Sequence, residues 1–261
     1  MADFQYAQAR GGVAVDQAKD AGLRKFMLGV YNKLMLGILL AGVLAYVAGT
    51  VDPITQLVFG TPLYFVVQWG PIALLLGSMF FMKNPSPLAT GIMYWTIVTL
   101  LGLGLGIWVG AAEAASSGEA VRLGTRGGIA FSSLTYVTIA KAFLITASAF
   151  GALSLWGYTT KRNLSGIGNF AVMALWGVVA LSLLNFILPP SSMFEWIIMA
   201  AVFGLSAILI AVETQQLKEG YYAFGGDARS LAVMTNWGAL NFFISFVNMF
   251  RIVLMFLSSR E

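Results

Sequence analysis

Long uninterrupted apolar runs dominate this chain. Their length fits neither the two-residue alternation of a half-buried strand nor the narrow stripe of a soluble amphipathic helix. After a mixed-polar opening, MADFQYAQARGGVAVDQAKDAGLRK, the runs fall at Leu28–Thr50, Leu63–Met82, Leu88–Ala112, Ser133–Tyr158, Asn169–Leu188, Phe194–Leu217 and Leu231–Leu257. Each is long enough to cross a hydrocarbon core of about 30 Å as a helix, and a proline, glycine or charge cluster separates each from the next. A β-barrel would show shorter alternating segments instead. The pattern predicts an all-α integral membrane protein, a bundle of seven transmembrane helices over residues 28–257. Residues 1–27 then form an N-terminal tail and 258–261 a short C-terminal one. The opening stretch lacks the apolar core and small-residue cleavage site of a signal peptide, so the tail is expected to be retained. The longest connection, EAASSGEAVRLGTRGGIAFS at residues 113–132, is too short and polar to build a core of its own.

Composition strengthens this picture and removes several chemistries. Of the 261 residues 59% are hydrophobic and only 10% charged, where a soluble domain carries about a quarter charged. Cysteine and histidine are both absent. Disulfides, thiolate nucleophiles, imidazole-built zinc sites and a Ser-His-Asp relay are therefore excluded, and neither an enzyme nor a cofactor is expected. The net charge of +4 reflects topology. Arg10, Lys19, Arg24, Lys25, Lys83, Lys161, Arg162, Lys218 and Arg229 fall at one end of the predicted helices, and only Arg122, Arg126 and Arg260 at the other. The positive-inside rule puts the N-terminus in the cytoplasm and the C-terminus outside. The basic surplus then faces anionic lipid headgroups, and nucleic acid is not expected as a partner.

Few charges lie inside the runs, and each is costly there. Lys141 and Arg251 sit close enough to helix ends to snorkel outward. Lys33 stands two turns beyond Lys25, and Glu213, in AILIAVETQQLK, is the one acid deep within a predicted crossing. Glu195 sits at the outer start of the same helix, where the interface and helix dipole account for it. Two readings of Glu213 stay open: an ion pair with Lys33, or a helix-end carboxylate that reaches water. Gly102, Gly106 and Gly110 form a GxxxGxxxG face on the third segment, suited to close helix packing. Pro71 interrupts the second segment and is expected to kink it. The twelve methionines are scattered, as gap-filling residues are. Several of the seven tryptophans fall near segment ends, as interface anchors do. A retinal protein would need a lysine in the last segment, which holds Arg251 instead.

Four strings together carry a family resemblance. They are DAGLRKFMLGVYNKLMLGI, AKAFLITASAFGALSLWGYTTKRNLSGIGNF, VETQQLKEGYY and NFFISFVNMF. In this order they resemble the bacterial Bax inhibitor-1 family along the whole chain, most strongly from Ala140 to Phe170. The resemblance implies seven helices with the last enclosed by the others. It also implies a pH-sensitive calcium leak and, for some bacterial members, binding to a membrane AAA protease. The family's sixth-helix acid before a Thr-Gln pair corresponds to Glu213 in Val212-Glu213-Thr214-Gln215. Its second acid, in the seventh helix, aligns with Ser245 in Ile244-Ser245-Phe246, and its loop acid with Asn163.

The resemblance makes Glu213, Ser245 and Lys33 the ion-gate or pH-sensing candidates. Two neighbouring carboxylates would share a proton and offer a divalent cation its preferred oxygens. With Ser245 in place of one acid, and Lys33 bringing a cation nearby, calcium binding is weakened and no metal is expected. The expected function is a non-catalytic regulator or accessory subunit of a membrane complex, such as a membrane protease or energy-transducing assembly. The alternative is a pH-sensitive calcium or proton leak gated through Glu213. The expected location is the bacterial inner membrane.

Overall fold

The computed structural model describes residues 2–82, 84–117, 134–187, 192–224 and 227–258. All of the regular structure there is helical: α1 Ala2–Thr50, α2 Asp52–Phe59, α3 Leu63–Phe81, α4 Pro87–Ser116, α5 Tyr136–Thr159, α6 Ser165–Ile187, α7 Ser192–Ala223 and α8 Ala228–Ser258. The seven long helices coincide with the seven predicted crossings. Six of them contain stretches long and apolar enough to span a membrane, in α1, α3, α4, α5, α7 and α8. The described apolar stretch of α6 is shorter, Ser165–Val178.

The boundaries differ from the sequence reading in informative ways. α1 begins at Ala2, and Leu23, Phe26 and Met27 are already buried, so the bundle starts before residue 28. The 52–62 connection folds a short helix, α2, with Asp52 in its first turn, Pro53 just inside its start, and Val58 buried beneath it. α3 continues through the position of Pro71, which is buried. Lys83, Arg122, Arg126, Arg260 and residues 118–133 lie outside the described residues, as do the side chains of Arg10, Lys19 and Glu195.

Local chemistry explains where helices begin. The Ser86 hydroxyl accepts the Ala89 N–H at 3.1 Å, and Pro87 supplies a first-turn residue that needs no donor. Thr135 caps α5 in the same way through the Thr138 N–H. Asn163 accepts both the backbone N–H and the hydroxyl of Ser165, at 2.8 and 2.5 Å, at the start of α6. The resemblance led to an acid there, and an amide performs the same capping task.

α8 is the axis of the bundle. Of its spanning stretch, 61% is buried, against 17–33% for the other spans. Phe242, Phe243, Leu240, Met249 and Leu254 have almost no exposed surface. Phe150 of α5 meets Phe242 and Phe246 edge-on, and Tyr31 of α1 stacks on Phe242 from the other side. The reverse holds on α3 and α6, where Phe65, Trp69, Met79, Phe80, Met173 and Trp176 are more than half exposed. Such a surface has lipid as its natural solvent.

A long, close seam joins α1 and α4. A Cβ at Gly102 would lie 2.7 Å from the Cα of Ala41, and one at Gly106 2.7 Å from the Cβ of Ala48. A Cβ at Gly110 would lie 3.3 Å from the carbonyl oxygen of Gly49. The glycine face of α4 therefore meets Ala41, Ala45, Ala48 and Gly49 of α1, small residues against small residues, and the backbones close to direct contact.

Candidate functional site

Three successive residues of α7 each address a different neighbour. Successive positions on a helix are turned by about 100°, so a Glu-Thr-Gln run points in three directions. Glu213 faces α8, where the Ser245 hydroxyl donates to its carboxylate, with oxygens at 3.2 and 3.4 Å. Thr214 is buried against α5, its Oγ1 3.1 Å from Ser154 Oγ, and it donates to the carbonyl of Ile210 at 2.8 Å. Gln215 accepts the Leu164 N–H at 2.7 Å and donates to the Arg162 carbonyl at 2.8 Å, tying α7 to the α5–α6 connection. One turn on, Lys218 donates to the Tyr158 carbonyl at 3.1 Å.

The Thr214 link extends into α1, because Tyr31 hydrogen-bonds to Ser154. Since Thr214 spends its proton on Ile210, the run reads Tyr31 to Ser154 to Thr214, each hydroxyl donating to the next. The close passage of Gly157 against the backbone of Ala211 lets α5 and α7 approach enough for this contact.

Lys33 takes part in a second cluster. Its ammonium hydrogen-bonds to Asn236 Oδ1 of α8, lies 5.1 Å from the Tyr94 ring centroid and 5.9 Å from that of Trp95. Asn236 in turn donates to the Pro87 carbonyl and to Thr90, each at 2.8 Å. The Tyr94 hydroxyl donates to the Lys33 carbonyl at 2.7 Å. The charge is thus met by an amide oxygen and two aromatic faces, an arrangement worth about 0.5–2 kcal/mol from the rings alone.

The structure brings Glu213 and Ser245 together and keeps Lys33 apart from them. The proposed Lys33–Glu213 pair is not formed. Asn236 and Ser245 are nine positions apart on α8, about 13.5 Å along the axis, so the partner of one is out of reach of the other. Lys141 is exposed on the surface of α5, and Arg251 is half-buried towards the far end of α8. Gly102, Gly106 and Gly110 lie in the α1–α4 seam. Among the described residues no group of three or more His, Cys, Asp or Glu side chains is arranged to hold a metal ion.

Asn236, Tyr31 and Ser154 escaped the sequence reading, which followed charges. The signal available was a buried-type helix interrupted by an amide, VMTNWGAL, since an amide in a membrane helix also needs a partner.

Six long apolar helices around a seventh, the buried α8, cross-tied by polar side chains inside the bundle, define a multipass integral membrane protein embedded in the bilayer. The family profile described as Inhibitor of apoptosis-promoting Bax1 matches residues 23–261. An uncharacterized protein of Caulobacter vibrioides is 41% identical, with 98% of each chain covered. Another, from Rickettsia prowazekii, is 31% identical over 99% of each. Inner membrane protein YbhL of Escherichia coli (strain K12) is 30% identical over 92% of this chain and 94% of its own. The chain belongs to the Bax inhibitor-1 family.

Proposed function

We propose that this protein is a non-catalytic regulator or accessory subunit of a membrane protein complex, in which the family's ion handling is weakened. The observation that carries this reading is the Glu213–Ser245 contact. It stands where the resemblance leads to two facing carboxylates. A divalent cation such as calcium takes six to eight oxygen ligands and favours carboxylates among them. A single carboxylate opposite a hydroxyl supplies one anionic ligand, and among the described residues no second acid is there to share its proton. The ammonium of Lys33 adds a fixed positive charge in the same half of the bundle.

The retained scaffold then serves contact with another membrane protein, with a membrane protease or an energy-transducing assembly as the classes of partner. Similarity to a protein named for the inner membrane supports the same location here. The basic excess supports a cytoplasmic N-terminus and an outside C-terminus.

Purification in a mild detergent tests the main reading. A partner recovered in fixed stoichiometry is expected. A lone chain that carries calcium or protons across liposomes, with flux abolished by Glu213→Gln, overturns it in favour of the pH-sensitive leak. That second reading draws on the position of Glu213, half-buried in α7 and turned towards the central helix. Orientation is open to single-cysteine labelling, because the natural chain contains no cysteine. A cysteine at Asp52 should react with an impermeant maleimide from outside intact cells and one at Lys25 should not.

A further inference from the structure

α1 and α5 flank a cleft that α8 floors. Its outer part, about 460 Å³, runs along α5 from Tyr136 to Leu144, and its inner part, about 530 Å³, from Ala147 to Tyr158. Ile38 and Phe246 line both parts, so the two are continuous. The inner part extends over about 16 Å of helix and the outer over about 12 Å, each close to one leaflet's share of a hydrocarbon core about 30 Å thick.

We infer that the inner part of this cleft is a binding site for an acyl chain of an anionic phospholipid, with the lipid phosphate held at Arg24. Three observations select this occupant. First, the walls are apolar between Arg24 and Tyr158 at the mouth and the outer part, and the polar groups along that shaft, Tyr31 and Ser154, are satisfied by each other. A polar ligand therefore has nothing to bond along the shaft. Second, the same Tyr31–Ser154 bond ties α1 to α5 across the cleft. A helix of about 10–12 Å diameter cannot seat there, whereas a single alkyl chain can. Third, positive charge is placed at one mouth, whereas at the other Tyr136 donates to the Glu113 carboxylate. Arg24 and Tyr158 both line the inner part, and the Lys218 ammonium sits 5.3 Å from the Tyr158 ring centroid. Arg24 in the lining, with Lys218 against the Tyr158 ring, gives this mouth a positive character that favours a phosphate, at the end of the bundle that carries most of the chain's basic residues.

The cleft also has unfilled room. A Cβ on Gly151, or on Gly42 in the outer part, would have nothing within 4 Å. The first side-chain atom of Gly151→Leu therefore enters open space in the inner part, and the change replaces a poor helix former with a good one.

The test uses the full chain, reconstituted with phosphatidylglycerol in a phosphatidylcholine background and then examined by native mass spectrometry. The natural chain is expected to retain one phosphatidylglycerol in preference to phosphatidylcholine. Arg24→Ala should weaken that retention about fivefold, as the loss of one near-surface cation–phosphate attraction implies. Gly151→Leu should abolish it with an unchanged or higher melting temperature, while Gly42→Leu should leave it in place. Photocrosslinking of the natural chain with a diazirine-bearing phosphatidylglycerol does not depend on any variant folding. Its label should concentrate on residues 24–38 and 147–158. Label spread evenly over the exposed faces of α3 and α6 overturns the site. So does a folded Gly151→Leu protein that retains the lipid as before, or that instead loses a co-purifying protein. The inference stands independently of the regulatory reading above.

Discussion

The bundle is held by two different means in its two halves. From its middle to the end bearing Arg24, Arg162 and Lys218, the helices are cross-tied by polar side chains: Glu213 to Ser245, Tyr31 through Ser154 to Thr214, Gln215 to the α5–α6 connection, and Lys33 to Asn236. In the other half α1 and α4 meet along Ala41, Ala45, Ala48 and Gly49 against Gly102, Gly106 and Gly110. In lipid the hydrophobic effect does little to drive one helix onto another, so packing and hydrogen bonds decide the association. The small-residue half depends on shape and tolerates no added volume. The polar half depends on donor–acceptor matching and tolerates no lost partner.

The sharpest break in that comparison is a volume change in the seam. Gly102→Leu drives side-chain atoms into the Ala41 backbone, which has no flexible end to give way. Overpacking of this kind costs about 1–3 kcal/mol, and more where backbone must move. A large fall in melting temperature in detergent is expected, and one near zero for Gly42→Leu on α1, where a Cβ meets nothing within 4 Å. Equal falls would show that the seam is no tighter than the cleft.

The polar half should respond to deletion. Asn236→Ala leaves the Lys33 ammonium without its amide acceptor and frees Thr90 and the Pro87 carbonyl. Measured polar contacts between membrane helices average about 0.6 kcal/mol and reach about 1.7, and the charge on Lys33 places this one near the top. Lys33→Met should remove most of the penalty in the double variant, while Lys33→Met and Glu213→Gln should add independently. Thermal melts of both cycles measure this, and coupling in the second would reinstate the pair that the structure separates.

How much of this was legible beforehand follows the same division. Helix number and order came from the length of apolar runs, because crossing a bilayer demands about 20 residues whatever their neighbours. Glu213 stood out as a charge, and Ser245 through the string it shares with the family, and the two do meet. Lys33 was visible, but its partner was not. Hydropathy marks a lysine as needing company and does not say which helix supplies it, and Asn236 drew no notice because an amide is only mildly polar on such scales. α2 and the early start of α1 were missed because both carry polar residues that hydropathy assigns to loops. The cleft was equally invisible: Gly42 and Gly102 look alike in the chain, and only the helix opposite makes one a contact and the other a void.

Ser245 allows the halves to be tuned as well as broken. Ser245→Asp places a second carboxylate opposite Glu213 and restores the pair that the resemblance implies. Calcium should then raise the melting temperature of the variant and leave the natural chain unmoved, with chelator reversing the gain. Ser245→Ala removes only one hydroxyl donor to a carboxylate, and a loss of about 1 kcal/mol or less is expected. A calcium-dependent shift in the natural chain would show that one acid suffices, and would move the function back towards a leak.

The smallest expected effect lies at the edge of the polar half, where Asp227 caps α8. Its carboxylate accepts the Ser230 N–H at 2.8 Å. Hydrogen bonds from the Ser230 side chain, then from its backbone, hold its pKa below the usual carboxylate value. A depressed folded-state pKa stabilises the protein above the unfolded-state value, and that contribution disappears as pH falls through the folded one. Asp227→Ala should therefore lower the melting temperature slightly at neutral pH, and the gap to the natural chain should close once the medium is acid enough to protonate Asp227. Because the group is fully exposed, salt should narrow the gap further. A gap that persists at low pH would show that the cap acts through shape, as the seam does, and not through charge.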